Sequence, residues 1–426
     1  MAMRLPSLTR SPLNHGRPWR LLRTGAALLI GLLSATVAGD AHASPTYRSR
    51  LLASGLANPR GLLVKDQRVL VSEAGSGAVA GSGASPCITS GSLASICQGL
   101  TGAIGAWDRR SNNYVHLITG LPSLAQADGS EGTGIADLSW HGSLGLVGVF
   151  GLGGDPRQPN VNLLNPLFGH LVSIDLTTGQ LQPRSNLAAY ERQTNPDGDS
   201  ADFNSNPYAI QAFSNKLFVT DAGANTLLTI DPSSVDPNGD FPIISHFVFP
   251  RIAITNDPSL SVSPVPTGLT VISKNNSLNI GEFTGFPFEP RSASVFSLVD
   301  GINTSPSQSL TGFSLITDLA AGADGSLYVM EYATSYFSSI NTGSIWRVDP
   351  NGSRRQIITG LSNPAGLAVG DGGVLYVANN ADGLDGELLQ FSPVPGPLPL
   401  LAAGAAWIRS RSLRRRLRQA RGVQRR

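Results

Sequence analysis

The feature that most restricts how this chain can fold is a two-strand unit with six starts along the sequence. Its cleanest copy runs from Ser362 to Gly383. It has a Pro-containing start, an apolar run from Leu367 to Val369, a Gly-rich turn over Gly370 to Gly373, a second apolar run from Leu375 to Val377, and a polar end at Asn379. β-prone runs joined by Asp-Gly read as a hairpin, because that pair supplies the positive φ of a tight turn. One hairpin alone is marginal in water, so the fold rests on the repetition. Asn58-Pro59-Arg60-Gly61-Leu62 leads to Glu73, and a degenerate copy runs from Thr133-Gly134-Ile135 to Val149. Asn206-Pro207 leads to Asp221, Val265-Pro266 to Glu282, Leu315 to Glu331, and Asn363-Pro364 to Asn379. The last two copies align without a gap at a spacing of 48 residues.

A third apolar run follows each copy, usually ending in Asp: Ala103 to Asp108, Leu171 to Asp175, Leu227 to Asp231, Val295 to Asp300, Ile345 to Asp349, and Leu388 to Phe391. A fourth follows in several, such as Tyr114 to Ile118. Four strands per unit and six units describe an all-β, six-bladed β-propeller. The sixth unit runs out of strands at Phe391, while Arg50 to Leu56 stands spare before the first Asn-Pro and matches Gln356 to Leu361 before the last. The N-terminal strand is therefore expected to complete the last blade, since no four-stranded sheet can bury both faces without a neighbour. A seven-bladed ring and a β-sandwich are the alternatives. Gly75 to Gly99, Gly153 to Asn165 and Glu191 to Ser205 read as loop insertions, expected on one binding face.

Composition agrees: Gly (48) and Pro (29) are frequent and charged residues make up 14%, which favours short strands and turns. The formal charge of +2 hides an uneven distribution. Residues 1–43 hold five Arg and one Asp, and 394–426 hold nine Arg and no acid. Subtracting these from 31 basic and 29 acidic residues leaves 17 against 28, an acidic body that argues against nucleic acid as the partner. Residues 1–43 read as an export signal: five Arg, an apolar stretch from Gly25 to Val37, and Ala41-His42-Ala43 before Ser44 as the mature start. An uncut membrane-anchoring helix is the competing reading. After Phe391 comes a stiff Pro-rich segment, then the apolar run Leu400 to Ile408. With Leu398 included it is about a dozen residues, short of the roughly 20 that span a bilayer. Its Arg-rich end suits transient contact with a membrane surface. A solvated basic tail explains it as well.

Cys87 and Cys97, a close pair in an exported chain, are expected to form a disulfide that orders their Gly/Ser-rich loop. Glu73, Asp221, Glu282 and Glu331, with Asn379 in the sixth unit, occupy equivalent strand ends. If the ring axis brings them together at the channel mouth, their oxygens could bind Ca²⁺ or another divalent cation. Strand-end acids also commonly accept hydrogen bonds from the next turn. Asn195 to Asp202 carries Asp197, Asp199 and Asp202 around a Gly turn, either a cation loop or a plain acidic turn. Its spacing is not that of an EF-hand. The four His of the mature chain, His116, His141, His170 and His246, belong to no nucleophile motif. His116 and His246 are expected in outer strands.

The opening N-P-R-G-L, the S-E-A-G from Ser72 to Gly75, the Cys-bearing insertion from Gly83 to Gly102, and N-P-D-G before S-N-P-Y (Asn195 to Tyr208) resemble the ScyD/ScyE family. The resemblance covers about residues 47–393 and implies an exported β-propeller. The tail from Val394-Pro395-Gly396-Pro397 through the apolar run to the Arg-rich end looks like a PEP-CTERM sorting signal, with Gly396 in place of the usual Glu. That resemblance implies an exosortase-type sorting machinery as partner. More distant similarity runs to the NHL, SMP30/gluconolactonase and TolB-like propellers, some of which hold a divalent metal in the channel for lactone hydrolysis. Three functions follow as expectations: a non-catalytic propeller that binds a ligand or partner on its loop face, a metal-dependent lactonase or hydrolase, and a component of the extracellular matrix.

Overall fold

Antiparallel hairpins stacked side by side make up almost the whole body. A computed structural model describes residues 46–394, except 79–84, 256, 303–304 and 337–340. The cleavage site at Ala43 and Ser44 lies outside the described residues, as do Pro395, Gly396 and Pro397 of the sorting motif. Val394 is described, at the end of the last strand.

The chain opens with β1 (Thr46–Leu56). Blade 1 follows with β2 (Pro59–Lys65), β3 (Arg68–Glu73), the short β4 (Cys87–Thr89), β5 (Ser95–Asp108) and β6 (Asn113–Ala125). Blade 2 contains β7 (Ile135–His141), β8 (Gly145–Phe150), β9 (His170–Asp175) and β10 (Gln180–Asn186), and leads into the helix α1 (Leu187–Thr194). Blade 3 contains β11 (Pro207–Phe213), β12 (Lys216–Asp221), β13 (Thr226–Ile230) and β14 (Ile243–Val248). A separate hairpin, β15 (Ile252–Ile254) with β16 (Asp257–Val262), precedes blade 4. Blade 4 is β17 (Pro266–Ile272), β18 (Ser277–Glu282), β19 (Ala293–Val299) and β20 (Ser307–Phe313). Blade 5 is β21 (Ile316–Ala321), β22 (Leu327–Glu331), β23 (Gly343–Val348) and β24 (Arg354–Leu361). Blade 6 has β25 (Gly366–Val369), β26 (Leu375–Asn379) and β27 (Gly386–Val394), and β1 pairs with β27 as its fourth strand.

The ring therefore closes on the strand that the sequence left spare. The inner strands touch in the cycle β2, β7, β11, β17, β21, β25 and back to β2. The core divides the same way. One cluster of buried side chains lies at each junction between neighbouring blades, and the cluster joining Leu52, Leu56 and Trp107 to Tyr376 and Leu388 seals blade 6 against blade 1. Each fully buried Leu, Ile or Phe contributes about 1.5–3 kcal/mol, so the junctions carry the stability. Asn58 rivets the seam from a fully buried position. Its side-chain nitrogen donates to the carbonyls of Gly75 and Gly129 (2.9 and 2.8 Å), and its Oδ1 accepts from Gly383 N (2.9 Å). Its backbone is left-handed (φ 48°), a conformation Asn tolerates better than most residues.

Two insertions are more regular than expected. Glu191–Thr194, read from sequence as the start of a loop, ends α1. The Asn186 side chain caps this helix by accepting from Ala189 N (2.8 Å), and L-A-A-Y-E-R-Q-T contains mostly good helix formers. A single eight-residue helix between polar segments leaves little periodic signal. The Gly/Ser-rich insertion of blade 1 also extends into strands: β5 starts at Ser95 and pairs with β4, Cys87 faces Cys97, and the two form the expected disulfide. Beneath it Ile88, Ile96, Leu124 and Phe168 form a satellite core.

Candidate functional site

The strand-end acids do not assemble into one site. Glu73 is 3% exposed and turns into blade 1. Its Oε2 accepts from Ala57 N (3.0 Å), while the Tyr114 hydroxyl (2.7 Å) and His116 Nε2 (2.8 Å) meet Oε1. Asp221 Oδ1 accepts from the backbone of Asn206, Gly223 and Ala224 (2.6, 3.1 and 3.1 Å), and Oδ2 accepts from Ser205 Oγ (2.7 Å). Burial raises the Asp221 carboxyl despite these bonds. Glu331 accepts from Ser314 N, Ser344 Oγ and Trp346 Nε1 (2.9, 2.7 and 2.8 Å). Asn379 Oδ1 accepts from Ser362 N (2.9 Å), and its Nδ2 donates to Glu387 (3.0 Å). Each therefore ties the end of a second strand to its own blade. Glu282 does so least: Ser294 is its partner, Oε1 has none, and burial pushes the carboxyl up to about 8.

The metal expectation is corrected on this geometry. None of Glu73, Asp221, Glu282, Glu331 and Asn379 lines the cavity at the mouth. Among the described residues, no three His, Cys, Asp or Glu side chains form a metal-holding group. The donor oxygens that a shared channel cation needs point into separate blades, so the set does not fit it. In the second candidate loop, Asp197 and Asp199 each accept from the backbone two residues on (2.9 and 3.0 Å), Asp199 pairs with Arg251 (3.1 Å), and Asp202 is exposed. These three Asp form a self-closed acidic turn rather than a shared cation loop. His116 and His246 sit in outer strands as expected; His246 Nδ1 lies 2.7 Å from the Tyr190 hydroxyl.

Sequence reasoning missed the acids that do face the channel. The unit starts align as P-R-G-L, I-A-D-L, P-Y-A-I, P-T-G-L, I-T-D-L and P-A-G-L. The third position is thus Gly61, Asp137, Ala209, Gly268, Asp318 and Gly366. Blades 2 and 5 stand opposite in a six-membered ring, so the two Asp face each other across a channel cavity of about 260 Å³. Both sit at bulges in their inner strands. Asp137 accepts from Ile210 N (2.9 Å) and Asp318 from Leu367 N (2.7 Å), each bond crossing to the next blade. Small neighbours make room: a Cβ on Gly61 would lie 2.0 Å from Asp137 Oδ1. Desolvation pushes the Asp137 carboxyl up to about 7. Asp318 is raised further, by burial first and then by the charge of Asp137. An acid at one alignment position in two opposite units was the available signal.

The mouth itself is a cavity of about 380 Å³ to which all six blades contribute. One wall is aromatic, built by the segments after β18 and β22: Phe283, Phe288, Tyr332 and Tyr336. Phe288 stacks on Tyr336 at 4.2 Å between ring centroids, and Tyr332 lies nearly parallel to Tyr336 at 6.0 Å. Phe286 continues this wall to the rim, 71% exposed. The facing wall is polar. Glu131 Oε2 accepts from Ser92 Oγ (2.6 Å) and Ser90 Oγ (3.1 Å), and Asp382 Oδ1 accepts from Glu131 N (2.9 Å). Arg60 reaches between them, donating to the carbonyl oxygens of Gly132 (2.7 Å) and Ala381. Burial, with the charges of Asp382 and Glu131, raises the Tyr336 hydroxyl, so the walls are within electrostatic reach. Asn204 Oδ1 and Thr317 Oγ1, on lining residues, are buried without a partner. This mouth can hold a ligand with an apolar ring face and hydrogen-bonding edges.

No family model matches the chain, and no curated protein matches it. Solved structures similar to it are propellers of diverse activity. A streptogramin B lyase shares 13% identity, with 82% of this chain and 98% of that one covered and a TM-score of 0.44. A glucose dehydrogenase shares 13% over 82% and 100%, with a TM-score of 0.45. A gluconolactonase from Xanthomonas campestris shares 11% over 82% and 100%, with a TM-score of 0.39. At these identities and TM-scores the likeness carries no argument about this chain, whose propeller fold stands on its own strand pairing.

Proposed function

We propose that this chain is an exported propeller of the ScyD/ScyE type whose mouth binds an organic ligand without transforming it. One observation carries the reading: the mouth sets a stacked aromatic wall against a polar wall in a cavity of about 380 Å³, within the usual size of small-molecule sites. Rings bury large area at low entropic cost, and the facing carboxylates and hydroxyls select orientation. The disulfide suits an oxidising compartment, which supports export. In this reading the PEP-CTERM-like tail delivers the propeller to the envelope through an exosortase-type machinery.

The test uses aromatic glycosides, phenolic acids, oligosaccharides and lactones as probes in thermal-shift screening, followed by calorimetry. The expected result is a bound probe that is recovered unchanged and whose affinity falls at least tenfold in Tyr336→Ala. Turnover of a lactone, abolished together with binding in that variant, would overturn the non-catalytic reading. No shift with any probe class would overturn the ligand class.

A further inference from the structure

The mouth also selects the charge of what it holds, an inference that rests on its reading as a small-molecule site. Three charged side chains line it: Arg60, Glu131 and Asp382. Arg60 acts as a brace. Its guanidinium donates to the carbonyl oxygens of Gly132 (2.7 Å) and Ala381, the chain neighbours of the two acids. Glu131 N donates to Asp382 Oδ1 (2.9 Å), which ties the two acidic loops to each other. The Glu131 backbone is left-handed (φ 53°), a conformation that Glu seldom adopts and that these bonds hold in place. Ser90 and Ser92 both donate to Glu131 Oε2. Among the described residues, Glu131 Oε1 and Asp382 Oδ2 accept no hydrogen bond. Each acid therefore keeps one oxygen open beside the same cavity.

The other wall supplies the rings. Besides the Phe288–Tyr336 stack and the parallel Tyr332, Phe283 meets Tyr332 edge-on at 5.6 Å. Aromatic faces carry partial negative charge. Rings on one side and two open carboxylate oxygens on the other both attract positive charge. We propose that the ligand of the mouth is an organic ammonium ion. Its charged head sits between the rings and the acids, and its carbon substituents cover the aromatic wall. A bare metal ion does not suit this lining, because two open oxygens fall far short of the roughly six to eight that calcium takes. An organic anion could reach Arg60 only in the company of both carboxylates. The hydroxyls of Tyr332 and Tyr336 are raised by burial first and next by the charge of Asp382, which agrees with that acid standing near the rings.

The experiment titrates the full chain by calorimetry with three probes of similar shape and different charge: phenethylamine, 2-phenylethanol and phenylacetate. Choline and its neutral carbon analogue 3,3-dimethylbutan-1-ol form a second pair. Each cation is expected to bind roughly tenfold tighter than its neutral partner, with phenylacetate weakest. Asp382 is exposed and Glu131 half-buried, so this preference should shrink as NaCl is added. The double variant Glu131→Gln with Asp382→Asn keeps acceptors for Ser90, Ser92 and Glu131 N, and should cut each preference to about twofold at a similar Tm. Equal affinity for amine and alcohol, tighter binding of phenylacetate, or a full preference in the double variant overturns the inference. If no cation binds while an aromatic glycoside does, the charge class fails and the ligand reading of the mouth stands. If nothing binds, both fail.

Discussion

Two sets of polar groups surround the axis of this propeller, and they behave oppositely. The strand-end groups Glu73, Asp221, Glu331 and Asn379 recur with the blade and spend their oxygens inside it. The mouth groups, Arg60, Glu131, Asp382 and the aromatic wall, do not recur, and they surround open space. Repetition in the sequence thus marks what builds a blade, and departure from it marks where blades differ enough to bind something. The latch survives an acid-to-amide swap at Asn379 because a backbone N–H needs only an acceptor.

The sharpest way to break this comparison is Asp221→Ala. Three backbone N–H groups and a buried hydroxyl lose their acceptor, at a cost of about 3–5 kcal/mol. Denaturant melts would show it, and Asp221→Asn should recover most of the loss, as the sixth blade implies. A cost below about 1 kcal/mol for the Ala variant would deny the latch role.

Cys87→Ser tests the non-recurring side. Closing a loop of this length stabilises by roughly 2.5–3 kcal/mol in the chain-entropy model. The loss should show as faster proteolysis within 75–99 and, because the cross-link acts on the unfolded chain, as a lower global melt. An unchanged melt would mean that the insertion opens before the blades unfold.

Asp137→Asn probes the channel through pH. The folded carboxyl titrates near 7, above an ordinary Asp near 4. Its contribution is therefore fully present below pH ~4 and is lost as pH rises through about 7. The Asn side chain keeps the acceptor for Ile210 N. The variant should match the wild type at pH 4 and melt roughly 2 °C higher at pH 8. An identical pH profile for both proteins would contradict the burial argument.

The smallest effect on stability belongs to Tyr336→Ala. Tyr336 is 42% exposed, so its loss should cost under about 1 kcal/mol while removing the platform of the mouth.

Much of the fold was legible because a propeller repeats its physics. Each hairpin needs the same turn chemistry and the same alternating burial, so Leu367 to Val369 and Leu375 to Val377 announce themselves. The spare strand Arg50 to Leu56 showed how the ring closes for the same reason: it matched Gln356 to Leu361, the outer strand of the preceding blade. The site was less legible. Phe283 and Tyr332 each follow an equivalent strand end, Glu282 and Glu331, but that they meet Phe288 and Tyr336 in one wall shows only in space. The strand-end acids attracted attention because they recur, yet a second strand's end is tied to its own blade rather than turned to the axis. Asp137 and Asp318 were readable in I-A-D-L and I-T-D-L, since an acid inside an inner-strand apolar run must face something other than the core.

The central claim is that ligand recognition and blade construction are carried by different residues. The most direct measurement is calorimetric affinity for the best probe, taken beside Tm, in Tyr336→Ala and Glu331→Ala. A crossed result is expected: Tyr336→Ala loses at least tenfold in affinity with little change in Tm, and Glu331→Ala lowers Tm at unchanged affinity. Equal loss of affinity in both, or loss in Glu331→Ala alone, would place the strand-end acids in the site and contradict it.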